Sequence, residues 1–422
     1  MGDDAGPAKR KGKPRIAEPQ RRQGVILYEM PEDALPPTHR ARVLWSVVDT
    51  LDLRAFLDGV KAVEGGPGRP TLSPQMKLVL WLYAISTGVG SAREIARLVG
   101  TDAADRWIVG DREVGPQTLS KFRGAHGAAL DALMTDILAS LIHKGVLSLD
   151  LVAQDGMRVR AAASAPSFRR HGALLKCREQ AALHLKAVIA QAGDPELTRA
   201  QQAAREAAAR DFQQRVEAAI STVTELQQTR RPSDKPARAS TTDAEVRVMK
   251  MADGGFRPAY NLRMATAGSP LGGPRTIVGV QVSNVGSDRS AITPMLAEIQ
   301  RRTGHLPQTL LADANHATHD CIRTATANGV TALVAVPERS QRPGANGDDD
   351  PAIVAWRARM ETDEAKQLYR ARAGLCELTN AHTRTHHGLD RFFVRGLEKV
   401  TCVALLSAIA SNLLQHACTL LG

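Results

Sequence analysis

Across residues 40–145 the apolar positions recur at helical spacing, broken by short polar stretches. Met76, Leu78, Val79, Leu82 and Ile85 share one face behind Ser73-Pro74, which reads as an N-cap followed by proline at the first helical position. Ser91 opens a second helix holding Ile95, Ala96, Leu98 and Val99, and Thr118 caps a third that carries Lys121, Arg123 and His126. The pattern then changes. Residues 146–153 are a short apolar run that reads as a strand ended by Asp155-Gly156. Residues 171–230 are rich in Ala, Gln, Glu and Arg and split at Gly193-Asp194-Pro195, which predicts a helical hairpin whose second arm is capped by Asp194 and starts at Pro195. After a polar loop over 231–256, strands are expected at 259–266 and 276–283, with the Gly/Pro-rich stretch 268–274 between them. A helix at 291–303, a strand at 309–312, a helix at 319–328 and a strand at 332–336 follow; a Gly/Asp-rich loop at 340–350 leads to long helices from 352 onward.

This order predicts an α/β fold: a mixed sheet with helices on both faces, a helical hairpin inserted in it, and an all-α domain before it. Strand, insertion, two strands and then alternating helices and strands match a ribonuclease-H-like arrangement. The expected organisation is a disordered basic arm over 1–24, a helical N-terminal domain over 25–145, and a catalytic domain over 146–422 carrying the insertion 171–230.

Charge narrows the partners. Lys plus Arg number 55 against 44 Asp plus Glu, giving +11, which favours a polyanion, nucleic acid before anionic membrane. Short helices with a basic third member suit a helix-turn-helix-like DNA module, and an ordinary helical bundle is the plain alternative. Five cysteines without CxxC spacing argue against a disulfide framework or a cysteine zinc site and fit a reducing cytosol. The basic start is not followed by an apolar signal core, and the apolar stretch 400–414 is short and interrupted by Ser407, Ser411 and Asn412, so a buried helix is expected rather than a membrane span. No Walker loop or GxSxG elbow is present; of the histidines open to a zinc reading (His316, His319, His382, His386 and His387), His316 and His319 fall with Asp313 at i, i+3 and i+6, which is not the histidine pair of a zincin helix. Trp81, Trp107 and Trp356 are expected in the core.

Three acids stand at informative places. Asp155 and Asp313 each follow a strand, where ligands gather in α/β sheets, and Glu377 lies on a helix over about 363–385. Leu368, Ala371, Leu375 and Leu378 form that helix's apolar stripe; Glu377 points away from it, with Arg370 and Arg384 seven residues to either side on its own face and Arg372 well off it. Two aspartates and a glutamate from separate elements suit Mg²⁺, a hard ion that prefers carboxylate oxygen, and phosphodiester chemistry with two such ions. Each acid taken singly has a plain reading: a turn at Asp155-Gly156, a helix cap at Asp313, a solvated ion pair at Glu377.

Residues 369–377 followed by Arg384 resemble the signature around the third acid of insertion-sequence DDE transposases, with Tyr369, Arg372, Glu377 and Arg384 in the matching positions and the Arg372–Glu377 gap one residue longer than the commonest form. Residues 391–400 are similar to the family's tail, 252–261 to the lead into its second strand, and 69–123 to its helical N-terminal domain, so the resemblance spans roughly 40–415. It implies cleavage and strand transfer of DNA at insertion-sequence ends, with Asp155, Asp313 and Glu377 holding two Mg²⁺ or Mn²⁺ ions. It further implies that Tyr369, Arg370, Arg372, Arg384 and Lys399 hold DNA, with Lys121 and Arg123 in the helices that read the terminal inverted repeats. Target DNA as a second partner, a homodimer on DNA, no membrane partner, and a bacterial cytoplasmic, nucleoid-associated location follow from the same resemblance. A catalytically inactive DNA-binding regulator and a ribonuclease-H-like nuclease without strand transfer remain the alternatives.

Overall fold

The computed structural model describes residues 30–422 apart from 59, 61, 64, 67–69, 111, 192–196, 232, 234, 317 and 337–349. The basic arm at 1–24, the Gly193-Asp194-Pro195 break and most of the loop at 340–350 lie outside the described residues.

The first part is helical: α1 (Arg40–Asp49), α2 (Pro74–Ser86), α3 (Ala92–Leu98), α4 (Ala103–Val109), α5 (Pro116–Ala125) and α6 (Gly127–His143). Ser73 and Ser91 cap α2 and α3 by accepting from the amides of Met76 and Glu94, as their sequence positions predict. Thr118 caps nothing. Helix α5 begins at Pro116 behind Gly115, because proline suits the first helical turn and takes precedence over a hydroxyl two residues later.

Strand β1 (Leu151–Arg160) comes next, then β2 (Phe168–Arg169) and the hairpin arms α7 (His171–Ala190) and α8 (Arg199–Thr229). The described second arm starts at Arg199, where Thr198 and Gln201 form a reciprocal capping box; the expected start at Asp194-Pro195 lies outside the described residues. Strands β3 (Ala239–Ser240), β4 (Arg247–Lys250), β5 (Phe256–Ala267) and β6 (Thr276–Ser283) precede α9 (Ile292–Thr303), β7 (Thr309–Ala312), α10 (His319–Ala327) and β8 (Thr331–Val334). Helices α11 (Pro351–Glu361), α12 (Asp363–Arg372), α13 (Leu378–His386), α14 (Leu397–Gln415) and α15 (Ala417–Leu421) complete the chain. The expected strand at 146–153 is displaced. Antiparallel pairing with β5 from Val152↔Ala267 to Arg160↔Ala259 carries β1 through Asp155-Gly156, which therefore ends nothing.

The mixed sheet runs β4-β5-β1-β7-β8, with β6 also on β5. Pairing is antiparallel from β1 through β5 to β4 and β6, and parallel from β1 to β7 to β8. Side chains alternate between two faces. Val152, Leu310, Ala312, Ala332 and Val334 enter the large core, while Leu151, Ala153, Leu311 and Leu333 enter a small one closed by Ala365, Leu375 and Cys376.

The large core is continuous from α1, α2 and α6 to β6, α9 and α14. Helix α14 is buried at every position from Cys402 to Leu413, so it is wrapped by protein on all sides. It is long and apolar enough to cross a membrane by length and composition, but 72% of its apolar window is buried inside the protein, as a core helix requires. Its Asn412 faces the edge of β6: Oδ1 accepts from the Ile277 amide at 2.8 Å and Nδ2 donates to the Ile277 carbonyl at 2.9 Å, replacing a missing strand partner. Asp131 on α6 receives Arg301 at 2.7 Å and also pairs with the buried Arg302 on α9.

Asn412→Leu keeps the volume but strands two buried backbone groups, at about 1–3 kcal/mol each when left unmet. We expect a loss of about 2–4 kcal/mol in urea unfolding; a change under about 0.5 kcal/mol would show that the amide clamp contributes nothing.

Candidate active site

Strand pairing assembles the first two acids. Val152 pairs with Leu310 and Ala153 with Leu311. Continuing that parallel register by two residues sets Asp155 opposite Asp313, and the alternation that sends Ala153 and Leu311 into the small core puts both carboxylates on that same face.

Each carboxylate is oriented by hydrogen-bond donors. Asp155 Oδ1 accepts from the Gly156 amide at 2.8 Å and Oδ2 from Asn380 Nδ2 at 3.2 Å. Asp313 Oδ1 accepts from the ring N–H of His316 at 2.5 Å and from the Asn315 amide at 3.1 Å, while Asn315 Nδ2 donates to Oδ2 at 3.0 Å. His316 is fully buried. Their environments separate the two acids. Burial pushes the Asp155 carboxyl up, and the nearby Asp313 charge adds to it against the Gly156 amide and Arg372. Burial also opposes the Asp313 charge, but His316, Asn315 and Arg372 outweigh it and hold that carboxyl below its ordinary value.

Glu377 is not on a regular helix. Residues Ala373–Glu377 form a π-turn between α12 and α13. Its i to i+5 hydrogen bonding matches the five-residue separation of Arg372 and Glu377, and Arg372 Nη2 donates to Glu377 Oε1. The extra residue in the Tyr-Arg-Glu spacing is absorbed here. A straight helix would place Arg370 beside Glu377 and Arg372 away from it; the π-turn makes Arg372 the partner and sends Arg370 to a different cleft, against the loop 269–275. The same turn rotates Cys376 into the small core and leaves Leu378 half exposed, so the expected apolar stripe ends at Leu375. Burial pushes the Cys376 thiol up to about 12, which leaves it protonated at neutral pH. Tyr369 donates to the Ala312 carbonyl at 3.2 Å, tying α12 to the residue before Asp313.

Asp155, Glu377, Asn380 and Arg384 line one cavity of about 580 Å³, with Arg158, Arg160, Arg257 and Asp253 on its other walls. Arg372 acts electrostatically on both aspartates and is bonded to Glu377, so one guanidinium serves three carboxylates. Two aspartates side by side are a donor set suited to a hard divalent cation, which would relieve their repulsion. Glu377 is turned to Arg372, and among the described residues no three His, Cys, Asp or Glu side chains are grouped closely enough to hold an ion.

The other nominated residues are dispersed. Lys121 and Lys399 are exposed on α5 and at the start of α14. Arg123 is buried: it lies over the Trp81 ring at 4.4 Å and donates to the Gly90 carbonyl at 2.7 Å, and burial lowers its pKa to about 10. Trp81 and Trp356 are core residues, and Trp107 is partly buried. Two supports escaped the sequence reading. Asn380, three residues past Glu377, was one. The other is the buried cluster behind β1, where Asp288 accepts from Asn261 Nδ2 at 2.6 Å and Arg263 Nε at 3.0 Å. Only strand pairing brings those positions together. Gly156 makes room for this cluster, since a Cβ there would lie 2.8 Å from Asp288 Oδ1.

Fold and site thus define a mixed α/β protein with one aspartate on β1, a second just past the neighbouring β7, and a glutamate on the π-turn between α12 and α13. Residues 29–125 match the family described as Transposase domain (DUF772), and residues 352–417 match the one described as Transposase DDE domain. Both matched families are described as transposase domains, and each match covers less than half of the chain. The second includes Glu377, Arg372 and Asn380; neither includes Asp155 or Asp313. No curated protein and no solved structure matches the chain.

Arg372→Gln removes the cation that opposes the burial of Asp155, so the Asp155 carboxyl should titrate at higher pH than in the wild type. Carboxyl-selective NMR titration reads this directly, and an unchanged midpoint contradicts the shared-cation arrangement. Gly156→Ala should cost about 1–3 kcal/mol in urea unfolding through crowding against Asp288; wild-type stability would mean that the cluster moves aside freely.

Proposed function

We propose that the chain cleaves DNA at the ends of an insertion sequence and transfers the strands, using a ribonuclease-H-like catalytic region over 146–422. The observation that carries this reading is the parallel register Val152↔Leu310 and Ala153↔Leu311, which, continued by two residues, sets Asp155 opposite Asp313 on the sheet face closed by the segment leading to Glu377. The strand order β6-β5-β1-β7-β8, antiparallel up to β1 and parallel beyond it, with β4 added against β5, supports the ribonuclease-H-like assignment, and the two transposase matches support the substrate class.

Two divalent ions, Mg²⁺ or Mn²⁺, supply in such chemistry a nucleophilic oxygen and a stabilised leaving oxygen. Asp155 and Asp313 would hold them, with Glu377 joining once its carboxylate leaves Arg372. Asn380 and His316 fix the rotamers of the two aspartates, so the donors are oriented before substrate arrives. Arg384, on the cavity wall, and Arg372, when released, donate N–H groups to a phosphate. Tyr369 is a positioning residue between α12 and β7. Arg370, Lys121 and Lys399 are assigned to the DNA backbone, where contacts set register rather than read sequence. Helices within 25–145 are assigned to the terminal inverted repeats, with a homodimer holding both ends, target DNA as the second substrate, and a cytoplasmic, nucleoid-associated setting.

The test compares the wild type with Asp313→Asn on labelled DNA carrying the element's ends, with Mg²⁺ or EDTA, on denaturing gels. The wild type should cut and join with Mg²⁺ only; the variant should bind DNA but cut at least roughly 100-fold more slowly, the scale on which metal-site support is lost. DNA binding by both proteins with no cleavage under any metal condition sinks the enzyme and leaves a DNA-binding regulator.

A further inference from the structure

The helical hairpin leaves and rejoins the sheet at a second cleft. Arg170 immediately precedes α7, and Leu226 and Arg230 lie at the end of α8. Together with Lys235, Arg238 and Arg247 they line a cleft of about 520 Å³ whose described walls carry five cationic side chains and no acid. Its floor is a built structure. Strands β2 and β3 pair through Phe168↔Ser240 and Arg169↔Ala239, and Leu174, Ala219, Val223, Ala237 and Ala239 form their own buried cluster beneath it.

The cations differ in what already engages them. Arg230 donates to the Lys235 carbonyl, and Arg247 to the carbonyls of Ala244 and Val246 at 2.8 and 3.0 Å, with Glu225, Glu245 and Asp243 near its charge. Arg170, Lys235 and Arg238 are exposed. None of these three has an acidic partner among the described residues. Several exposed like charges around one cleft set up a positive field that attracts a polyanion.

The cleft also has a place relative to the candidate active site. Arg247 and Val248, at the start of β4, line the basic cleft, while Met251, just past its end, lines the cavity of Asp155 and Glu377. Four extended residues span ~13 Å, about the axial rise of four nucleotides. One edge strand therefore connects the two cavities at a spacing that a continuous DNA backbone can follow.

We infer that the cleft at the base of the hairpin, lined by Arg170, Lys235 and Arg238, is a second binding site for the DNA phosphate backbone, gripping the duplex a few nucleotides from the cut. This rests on the DNA-processing reading above and extends it to the insertion. The site is independent of base sequence, because what its walls offer is charge and N–H donors.

The experiment measures binding of a fluorescent 30-base-pair duplex of arbitrary sequence by anisotropy over a series of salt concentrations. It uses the full-length wild type and the triple variant Arg170→Gln, Lys235→Gln, Arg238→Gln, with a polyglutamate peptide as a second ligand. Every phosphate that is no longer neutralised lowers the slope of log K against log salt by about 0.9, so the triple variant should lose about 2–3 in slope and bind on the order of 10-fold more weakly at fixed salt. Polyglutamate should bind the wild type far less well than DNA. If the triple variant does not fold by circular dichroism, Arg238→Gln alone should lose a slope of about one. Identical slopes and affinities for variant and wild type overturn the site. Equal affinity of the wild type for polyglutamate and DNA, abolished in the variant, also overturns it and makes the cleft a seat for an acidic protein segment. A wild type that never cuts DNA with Mg²⁺ but shows the slope difference refutes the transposition reading alone; a wild type that cuts, with no slope difference, refutes the cleft alone.

Discussion

Parallel pairing of β1 with β7 brings two like charges side by side, and the surrounding structure is arranged around the cost of that adjacency. Two half-buried carboxylates, one on β1 and one just past the neighbouring β7, repel each other in a medium that screens less than water. The protein offsets the repulsion with donors rather than with burial alone. His316 and Asn315 take one acid, Asn380 and the Gly156 amide the other, and Arg372 acts on both. The result is asymmetric: Asp313 is held in its charged form, and Asp155 is the acid whose charge is harder to keep.

The π-turn at 373–377 belongs to the same arrangement. A regular helix repeats every 3.6 residues and cannot set residues five apart on one side, whereas one wider turn does. That turn lets Arg372 reach Glu377 while Leu375 and Cys376 still close the small core over Leu151, Ala153, Leu311 and Leu333. The side chain of Glu377 is 49% exposed and that of Arg372 18%, so their ion pair contributes little to stability. Its consequence is positional: the glutamate is held by a cation at the mouth of the cavity and is free to exchange partners.

Packing ties this region to the N-terminal helices. Helix α14 meets α2 and α6 on one side and β6 on another within one continuous core. Asp131 of α6 takes both Arg301 and Arg302 of α9. The helices at 40–143 and the sheet therefore share an interior, so a tilt of one is transmitted to the other through close-packed side chains. The hairpin α7–α8 stands apart, on its own small cluster around Leu174 and Val223.

Much of this was legible in local pattern. Ser73 and Ser91 as caps, the strands at 276–283 and 309–312, the two arms of the insertion and the burial of 400–414 all follow from turn chemistry and hydrophobic period, which act over a few residues. Asp155, Asp313 and Glu377 could be nominated as acids at strand ends and on a helix. That the β1–β7 register sets Asp155 level with Asp313 could not be read, because register is a property of two strands. Pairing with β5 carried β1 through Asp155-Gly156, and packing of the small core selected the π-turn that exchanged Arg370 for Arg372. Arg123 illustrates the same division: a basic residue on a short helix was open to DNA or to the core, and only the position of Trp81 and Gly90 decided it. The chain by itself determined which segments are helix or strand and which residues can do chemistry, since propensity and side-chain identity are local. Which of those residues meet, and in what charge state, was decided only by the tertiary structure, because proximity and desolvation depend on partners tens to hundreds of residues away.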